Sequence, residues 1–203
     1  CIRDRYYTDG RKCFNLNHWN PYNYGGWKAC DARYDILGST DTPPQNYGAS
    51  RQTGDVGYDA SATCATNPVA NTLMAALPAD LRAVMKPITK YTDNIGGGTG
   101  NVASNVTTSV DYLPLLAEYE IFGSRTYANS TEQNYRAQYA YFANGNPKLK
   151  YRHLDVSQTA FWWSRSPFYI SNYFFCGGGS SGSANNNNTN NSRAVAPDFA
   201  FSP

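Results

Sequence analysis

The chain has 203 residues and a mass of 22.4 kDa, the size of one large domain with ample length to bury a core. Only 16% of it is charged and the net charge is +2, so the Lys/Arg blocks that neutralise nucleic-acid phosphates or anionic membranes are missing. No apolar run approaches the ~20 residues that cross a bilayer, and a mean hydropathy of -0.58 with 17 Tyr, 9 Phe and 4 Trp among 21 Asn and 17 Gly implies a soluble chain whose apolar content is largely aromatic.

The chain begins at Cys1 with no initiator Met, signal h-region or basic n-region, and so reads as a fragment or a processed chain. The stretch Phe14 to Ser39 is dense in aromatics and turn dipeptides, with one strand-like run at Tyr34 to Leu37, and predicts an ordered, loop-rich layer. Residues 40–66 are polar and bear Gly and Pro, the pattern of a long excursion with little regular structure. Between Pro68 and Tyr91 apolar residues recur every three or four positions, which predicts two short helices, about 68–76 and 78–90, with Pro78 opening the second.

Thr92 to Thr108 reads as a flexible loop, and its GGGTG lacks the Lys-Ser/Thr that a phosphate-binding loop needs. Asp111 to Gly123 predicts a strand running into a helical turn that stops at the glycine. Ser130 and Gln133 form a candidate capping box for a helix through Tyr135, Tyr139 and Phe142, with Gly145 beyond its end. From Tyr151 the chain predicts short strands and loops, ending in a strand at Ala194 to Phe201.

Residues able to carry chemistry are sparse. Cys1, Cys13, Cys30, Cys64 and Cys176 form no CxxC pair and no Cys/His cluster, which argues against zinc, and their odd number argues against a full disulfide framework; a single bridge such as Cys13 to Cys30 stays open. His18 and His153 have no carboxylate or Cys at ligand spacing, so structural or surface roles are expected. Glu118 and Glu120 are expected in surface or capping roles rather than as an acid/base pair. No nucleophile elbow, zinc-protease helix, calcium loop or dinucleotide fingerprint is present. The sequons at Asn105, Asn129, Asn187 and Asn190 carry meaning only in a eukaryotic secretory chain. No catalytic residue, metal or cofactor is therefore expected.

The segment Phe161 to Phe201 is the most distinctive. Trp162, Trp163 and Arg165 suggest a buried cluster with the guanidinium stacked or hydrogen-bonded within it. Beyond Pro167 the chain is almost wholly Phe, Tyr, Ser, Asn, Gly, Ala and Thr, and FYISNYFF is too aromatic for a linker.

Trp162-Trp163-Ser164-Arg165-Ser166-Pro167, followed by Val195-Ala196-Pro197-Asp198-Phe199, resembles the WWLRSP…GVxPxF signature of a family in gut bacteria and their phages. Gly25-Gly26-Trp27-Lys28, Arg33 to Ser39, Glu118 to Gly123 and Gln138 to Phe142 also resemble that family, so the likeness runs from about residue 14 onward. Ser164 stands where the family commonly has Leu. The resemblance implies a single α+β domain over 1–203 with a C-type-lectin-like fold related to the formylglycine-generating enzymes: short antiparallel strands, two to three short helices and much irregular structure, presenting a variable ligand-binding region at about 161–199.

The resemblance also extends to targets of diversity-generating retroelements, in which template adenines are mutated. AAC-type codons altered in that way never yield Trp, Met, Lys, Glu or Gln. Phe168 to Arg193 contains none of the five, where about three would be expected from their frequency in the rest of the chain. On this reading Ser164, Phe168, Tyr169, Ile170, Asn172, Tyr173, Gly177, Gly178, Gly179, Asn185, Asn186, Asn187, Asn188, Asn190, Asn191 and Arg193 form the displayed face, and Trp162, Trp163, Arg165 and Phe199 hold the scaffold.

The implied function is ligand binding, at the receptor-binding tip of a phage tail or in a bacterial surface adhesin. The expected partner is a protein or glycan receptor on a host or cell surface, met by a homo-oligomeric or otherwise multivalent mount, with no nucleic acid and no membrane insertion. The alternatives are a structural virion or surface protein without a diversified face, and a formylglycine-generating oxidase. The oxidase needs a pair of C-terminal cysteines where only Cys176 stands.

Overall fold

The computed structural model describes residues 22–37, 64–70, 72–152 and 155–201. It is a mixed α+β arrangement of short helices and small antiparallel sheets. Cys1, Cys13, His18, Trp19, His153 and most of the 40–66 excursion lie outside the described residues.

The first described turn carries Gly25 and Gly26 at φ 77° and 53°. A Cβ on Gly26 would stand 2.0 Å from the Asp93 carbonyl oxygen, so this turn packs backbone against backbone and only glycine fits. Helix α1 follows at Asp31–Leu37, where a strand was expected from Tyr34 to Leu37. Tertiary partners explain the correction: fully buried Arg33 donates from Nε to Asp111 Oδ1 at 2.6 Å and from Nη1 to the Lys28 carbonyl at 3.1 Å. Ile36 and Leu37 face the core from the same helix.

Helices α2 (Leu73–Ala76) and α3 (Ala79–Val84) lie within the two expected spans, but α2 keeps only the last turn of 68–76, starting where Thr72 Oγ1 caps it by accepting from Ala75 N–H at 3.2 Å. The second helix stops short of 90, however, and β1 (Met85–Lys86) and β2 (Ile88–Asp93) take over. Pro87 is the cause, because the residue before a proline is pushed out of the helical region. β2 pairs antiparallel with β3 (Val106–Asp111) across six residues, Ile88 opposite Asp111 and Asp93 opposite Val106.

Helix α4 (Glu118–Phe122) stops at Gly123, which takes φ 69° as expected of a left-handed cap. At its start the Glu120 carboxylate accepts from Ala117 N–H at 2.7 Å. The expected long helix after Ser130 is instead a 3-10 turn, Ser130–Tyr135, and a separate short helix α5, Ala140–Ala143, with Arg136 extended between them. The cap is not Ser130 but Asn129, whose side chain accepts from Thr131 N–H at 3.0 Å.

β4 (Lys150–Tyr151) pairs with β5 (Thr159–Ala160), and β6 (Trp162–Pro167), β7 (Phe174–Gly178) and β8 (Ala184–Asn188) form a three-stranded meander. The expected terminal strand shortens to β9 (Ala200–Phe201), paired with β1. Side chains alternate across a strand, and β6 uses this to join two cores. Trp163 packs with Trp27, Ile36, Leu73, Met74, Leu113 and Phe175, whereas Trp162 packs with Leu116, Ile121 and Phe142. Among the described residues no helix is long and apolar enough to cross a membrane.

Candidate functional site

Beneath the surface lies a buried polar network centred on β6. Arg165 donates to both oxygens of Glu120, at 2.6 and 3.2 Å, and also to Thr92 Oγ1 at 2.7 Å and the carbonyls of Leu115 at 2.7 Å and Tyr91 at 3.3 Å. Lys90 reaches Glu120 at 3.3 Å and Asp198 at 3.2 Å. Glu118 and Glu120 are fully buried, correcting the surface role expected for them, though Glu120 does cap α4. Glu118 accepts from the backbone of Tyr127 at 3.0 Å and Ala128 at 2.7 Å, fixing the loop that follows α4. Trp162, Trp163 and Arg165 are fully buried.

Environment sets the carboxylates apart. Burial raises Glu132 to about 7 despite hydrogen bonds from Asp93 N–H and Ser166 Oγ. Burial acts on Glu120 too, but Arg165 and then Lys90 overcome it and hold the carboxyl at about 2. Asp93 and Glu118 are raised by burial. The linkage follows directly. Glu132 keeps its proton in the folded state and loses it in the unfolded one between its ordinary value of 4.5 and 7. Its stabilising contribution is therefore full below 4.5 and falls as pH rises through that window, by about 3 kcal/mol. Glu120 acts oppositely, stabilising above 4.5 and losing that effect as pH falls toward 2. Urea unfolding should show greater stability at pH 5 than at pH 7, and Glu132→Gln, which can still accept from Asp93 N–H, should flatten that slope. Equal wild-type stability at the two pH values would count against a protonated Glu132.

Above this network the β6–β7 loop, residues 168–173, is clamped on both sides. Asn23 N–H donates to the Asn172 carbonyl at 2.7 Å, and Asn23 Nδ2 donates to the carbonyls of Ser171 at 2.8 Å and Phe174 at 2.7 Å. Gly97 N–H donates to Asn23 Oδ1 at 2.7 Å, and Gly100 N–H donates to the Tyr169 carbonyl at 2.7 Å. The glycine loop read as flexible is an ordered clamp: Asp93 Oδ1 accepts from Ile95 N–H at 3.1 Å and Gly96 N–H at 2.9 Å. Gly98, at φ 68°, lies so close to the Ile170–Ser171 backbone that an added Cβ would meet it at 3.1 Å.

An aromatic surface sits on this rigid base. The rings of Tyr22 and Tyr173 lie 5.0 Å apart and those of Tyr22 and Tyr24 5.5 Å apart. The hydroxyl of Tyr24 accepts from Asn172 Nδ2 at 3.1 Å. A hydrogen bond with Tyr173 raises the Tyr22 phenol above its ordinary value. Arg125 lies over the Tyr169 ring at 4.8 Å, and Phe168 meets Tyr127 edge-on at 5.3 Å. Ile170 is 61% exposed and Tyr173 41%. Thr189 N–H donates to the Tyr173 carbonyl at 3.0 Å, which brings the Asn188–Asn191 turn beside these rings.

The expected face is therefore divided. Ile170, Tyr173, Asn185 and Asn190 are exposed, and Phe168, Tyr169, Asn172, Asn186, Asn187, Asn188, Asn191 and Arg193 are half-buried, with Arg193 over the Phe161 ring at 5.4 Å. Ser164, Gly177, Gly178 and Gly179 are buried and are not displayed. Ser164 lies inside β6, and a Cβ on Gly177 or Gly178 would stand 2.2 Å from the Trp162 carbonyl oxygen or 2.1 Å from its Nε1. Asn185 sits at the far end of the sheet, opposite Gly177. Phe199 is not buried scaffold but 38% exposed. Asp198 is anchored by its N–H to the Pro114 carbonyl at 2.8 Å and by its carboxylate to Lys90, while Phe199, just before β9, stays at the surface.

The residues absent from the expected face are Tyr22, Asn23, Tyr24, Arg125 and Tyr127. Tyr22, Asn23 and Tyr24 were signalled by the aromatic turn-rich run before Gly25, but its meeting with a loop almost 150 positions later is a tertiary fact, and Arg125 and Tyr127 carried no local signal.

The family model described as a domain of unknown function (DUF6273) matches residues 11–203. No curated protein and no solved structure matches the chain.

Proposed function

The chain belongs to the DUF6273 family, and for it we propose a ligand-binding role: recognition of a cell-surface receptor through the aromatic surface around the 168–173 loop, in a phage tail tip or a bacterial adhesin. The observation that carries this reading is a cluster of partly exposed rings, with Tyr173 and Ile170 the most open, on a backbone held from both sides. Rigid rings supply contact area without a large ordering cost, and neighbouring carboxamides supply adaptable hydrogen bonds. Ile170, Tyr173 and Tyr22 are the anchors, with Asn172 and the Asn188–Asn191 turn around them. The receptor is a protein or glycan at a host or cell surface, and a multivalent mount multiplies modest single-site affinity. Such a domain with a C-type-lectin-like scaffold needs no cofactor and performs no catalysis. Diversification, on this reading, falls on the 168–173 loop and on the Asn188–Asn191 turn beside it, and spares Ser164, Gly177 and Gly178.

Binding of labelled protein to a panel of gut bacterial cells tests the reading. Ile170→Ala/Tyr173→Ala should lower binding at least tenfold, as loss of central anchors does, and leave the melting temperature within a few degrees because both side chains are exposed. Unchanged binding by the double variant, or its unfolding, contradicts the proposal.

A further inference from the structure

Among the described residues β8 is an outer strand of the β6–β7–β8 sheet. An outer strand offers backbone groups to any extended chain, and an uncharged asparagine run without proline is prone to pair into intermolecular sheets. Alternation determines which groups face outward. Thr189 N–H donates to the Tyr173 carbonyl at 3.0 Å, and Gly179 N–H donates to the Ser183 carbonyl at 2.8 Å. In an antiparallel ladder every second residue exchanges such bonds, so Asn185 and Asn187, opposite Gly177 and Phe175, bond to β7. The N–H groups of Asn186 and Asn188 point off the edge.

Of the outward donors of Ala184, Asn186 and Asn188, the last two are already taken, each by the side chain immediately before it. Asn186 N–H donates to Asn185 Oδ1 at 2.8 Å, and Asn188 N–H donates to Asn187 Oδ1 at 3.0 Å. The Asn191 carboxamide also donates to Asn187 Oδ1, and Asn191 N–H donates to the Asn188 carbonyl at 2.9 Å, closing the end of the edge.

We infer that Asn185 and Asn187 guard this edge: their side-chain carbonyls occupy two of the three outward donors that a second copy of the chain would need in order to add a strand. The asparagine run is thereby kept from self-pairing. Recognition on this side of the molecule proceeds through rings and carboxamides rather than through backbone addition.

The test combines amide hydrogen exchange with sedimentation of the full chain over a range of concentrations. In the wild type the Asn186 and Asn188 amides should exchange more slowly than free-chain amides. Asn185→Ala/Asn187→Ala should accelerate both by about fivefold, the worth of a net hydrogen bond, and should add concentration-dependent self-association. Asn185→Asp/Asn187→Asp keeps an acceptor at each position and should retain the slow exchange. Free-chain exchange of these amides in the wild type overturns the inference without any variant. So does an alanine variant that exchanges like the wild type or associates no more than it.

Discussion

Replacing Arg165 with alanine is expected to remove about 3–5 kcal/mol of stability, the usual consequence of stripping one partner from a buried ion pair. The side chain is fully buried and binds Glu120 through two nitrogens, so its loss leaves a carboxylate inside the protein with only Lys90 and the distant edge of Arg136 for charge. It also releases the carbonyls of Leu115 and Tyr91 and the hydroxyl of Thr92, which join β6 to β2 and to the segment before α4. Domains of this size are stable by ~5–15 kcal/mol, so a large share of the folded population is at stake. Arg165→Lys keeps the charge but not the planar fork that meets both Glu120 oxygens, and should recover only part of the loss. Chemical denaturation with far-ultraviolet dichroism measures both variants; an Arg165→Ala protein within ~1 kcal/mol of wild type would mean that the network is not what joins these elements.

Gly178→Ala should cost about 3 kcal/mol, the upper part of the range for forcing a methyl group into a packed core. Its added Cβ would stand 2.1 Å from Trp162 Nε1, which itself donates to the Lys148 carbonyl at 3.1 Å, so the indole cannot swing away without giving up that bond. Gly179→Ala, one residue on, is the matched control. Its Cβ would meet only the Asn185 side chain and the Ser183 region at 3.4 Å or more, ordinary contact, and the substitution should fall within ~0.5 kcal/mol of wild type. Thermal unfolding of the two variants separates a steric requirement at Gly178 from a general intolerance of side chains where β7 ends. Equal behaviour of the pair would remove the close approach from the account.

What could be read from the amino-acid order follows a physical division. The paired tryptophans and Arg165 announced themselves, because two large rings beside a cation in a sparsely charged chain have few places to go but the interior. Gly123 marked a helix end through its own backbone freedom. Local signals failed where a distant partner decided the outcome. Arg33 was bound by Asp111 and the α1 segment became helix; Asn129 rather than Ser130 supplied the cap; Asp198 was held by Lys90 while Phe199 stayed at the surface. The end of α3 was different, since Pro87 was visible in the sequence and outweighs the apolar periodicity on either side of it. Compositional reading marked Gly177 and Gly178 for display because small residues look alike on paper, and only the position of the Trp162 backbone and indole shows why they must be small. Ser164 was marked because it departs from the Leu of the resembled family, and its burial within β6 is a tertiary fact. The clamp formed by Asn23 and the glycine loop was illegible for the same reason: it joins three segments whose meeting no periodicity encodes.

On the proposed reading a recognition face is varied while the scaffold directly beneath it is held constant. Sequencing the encoding locus across isolates tests this most directly. The account predicts a neighbouring reverse-transcriptase gene and a near-repeat of the 161–199 coding region that differs from it at adenines. Substitutions among isolates should gather at the 168–173 loop and at the Asn188–Asn191 turn, with Trp162, Trp163, Ser164, Arg165, Gly177 and Gly178 unchanged. A locus with neither a reverse transcriptase nor a template repeat, or substitutions spread evenly over buried and exposed positions, would contradict it.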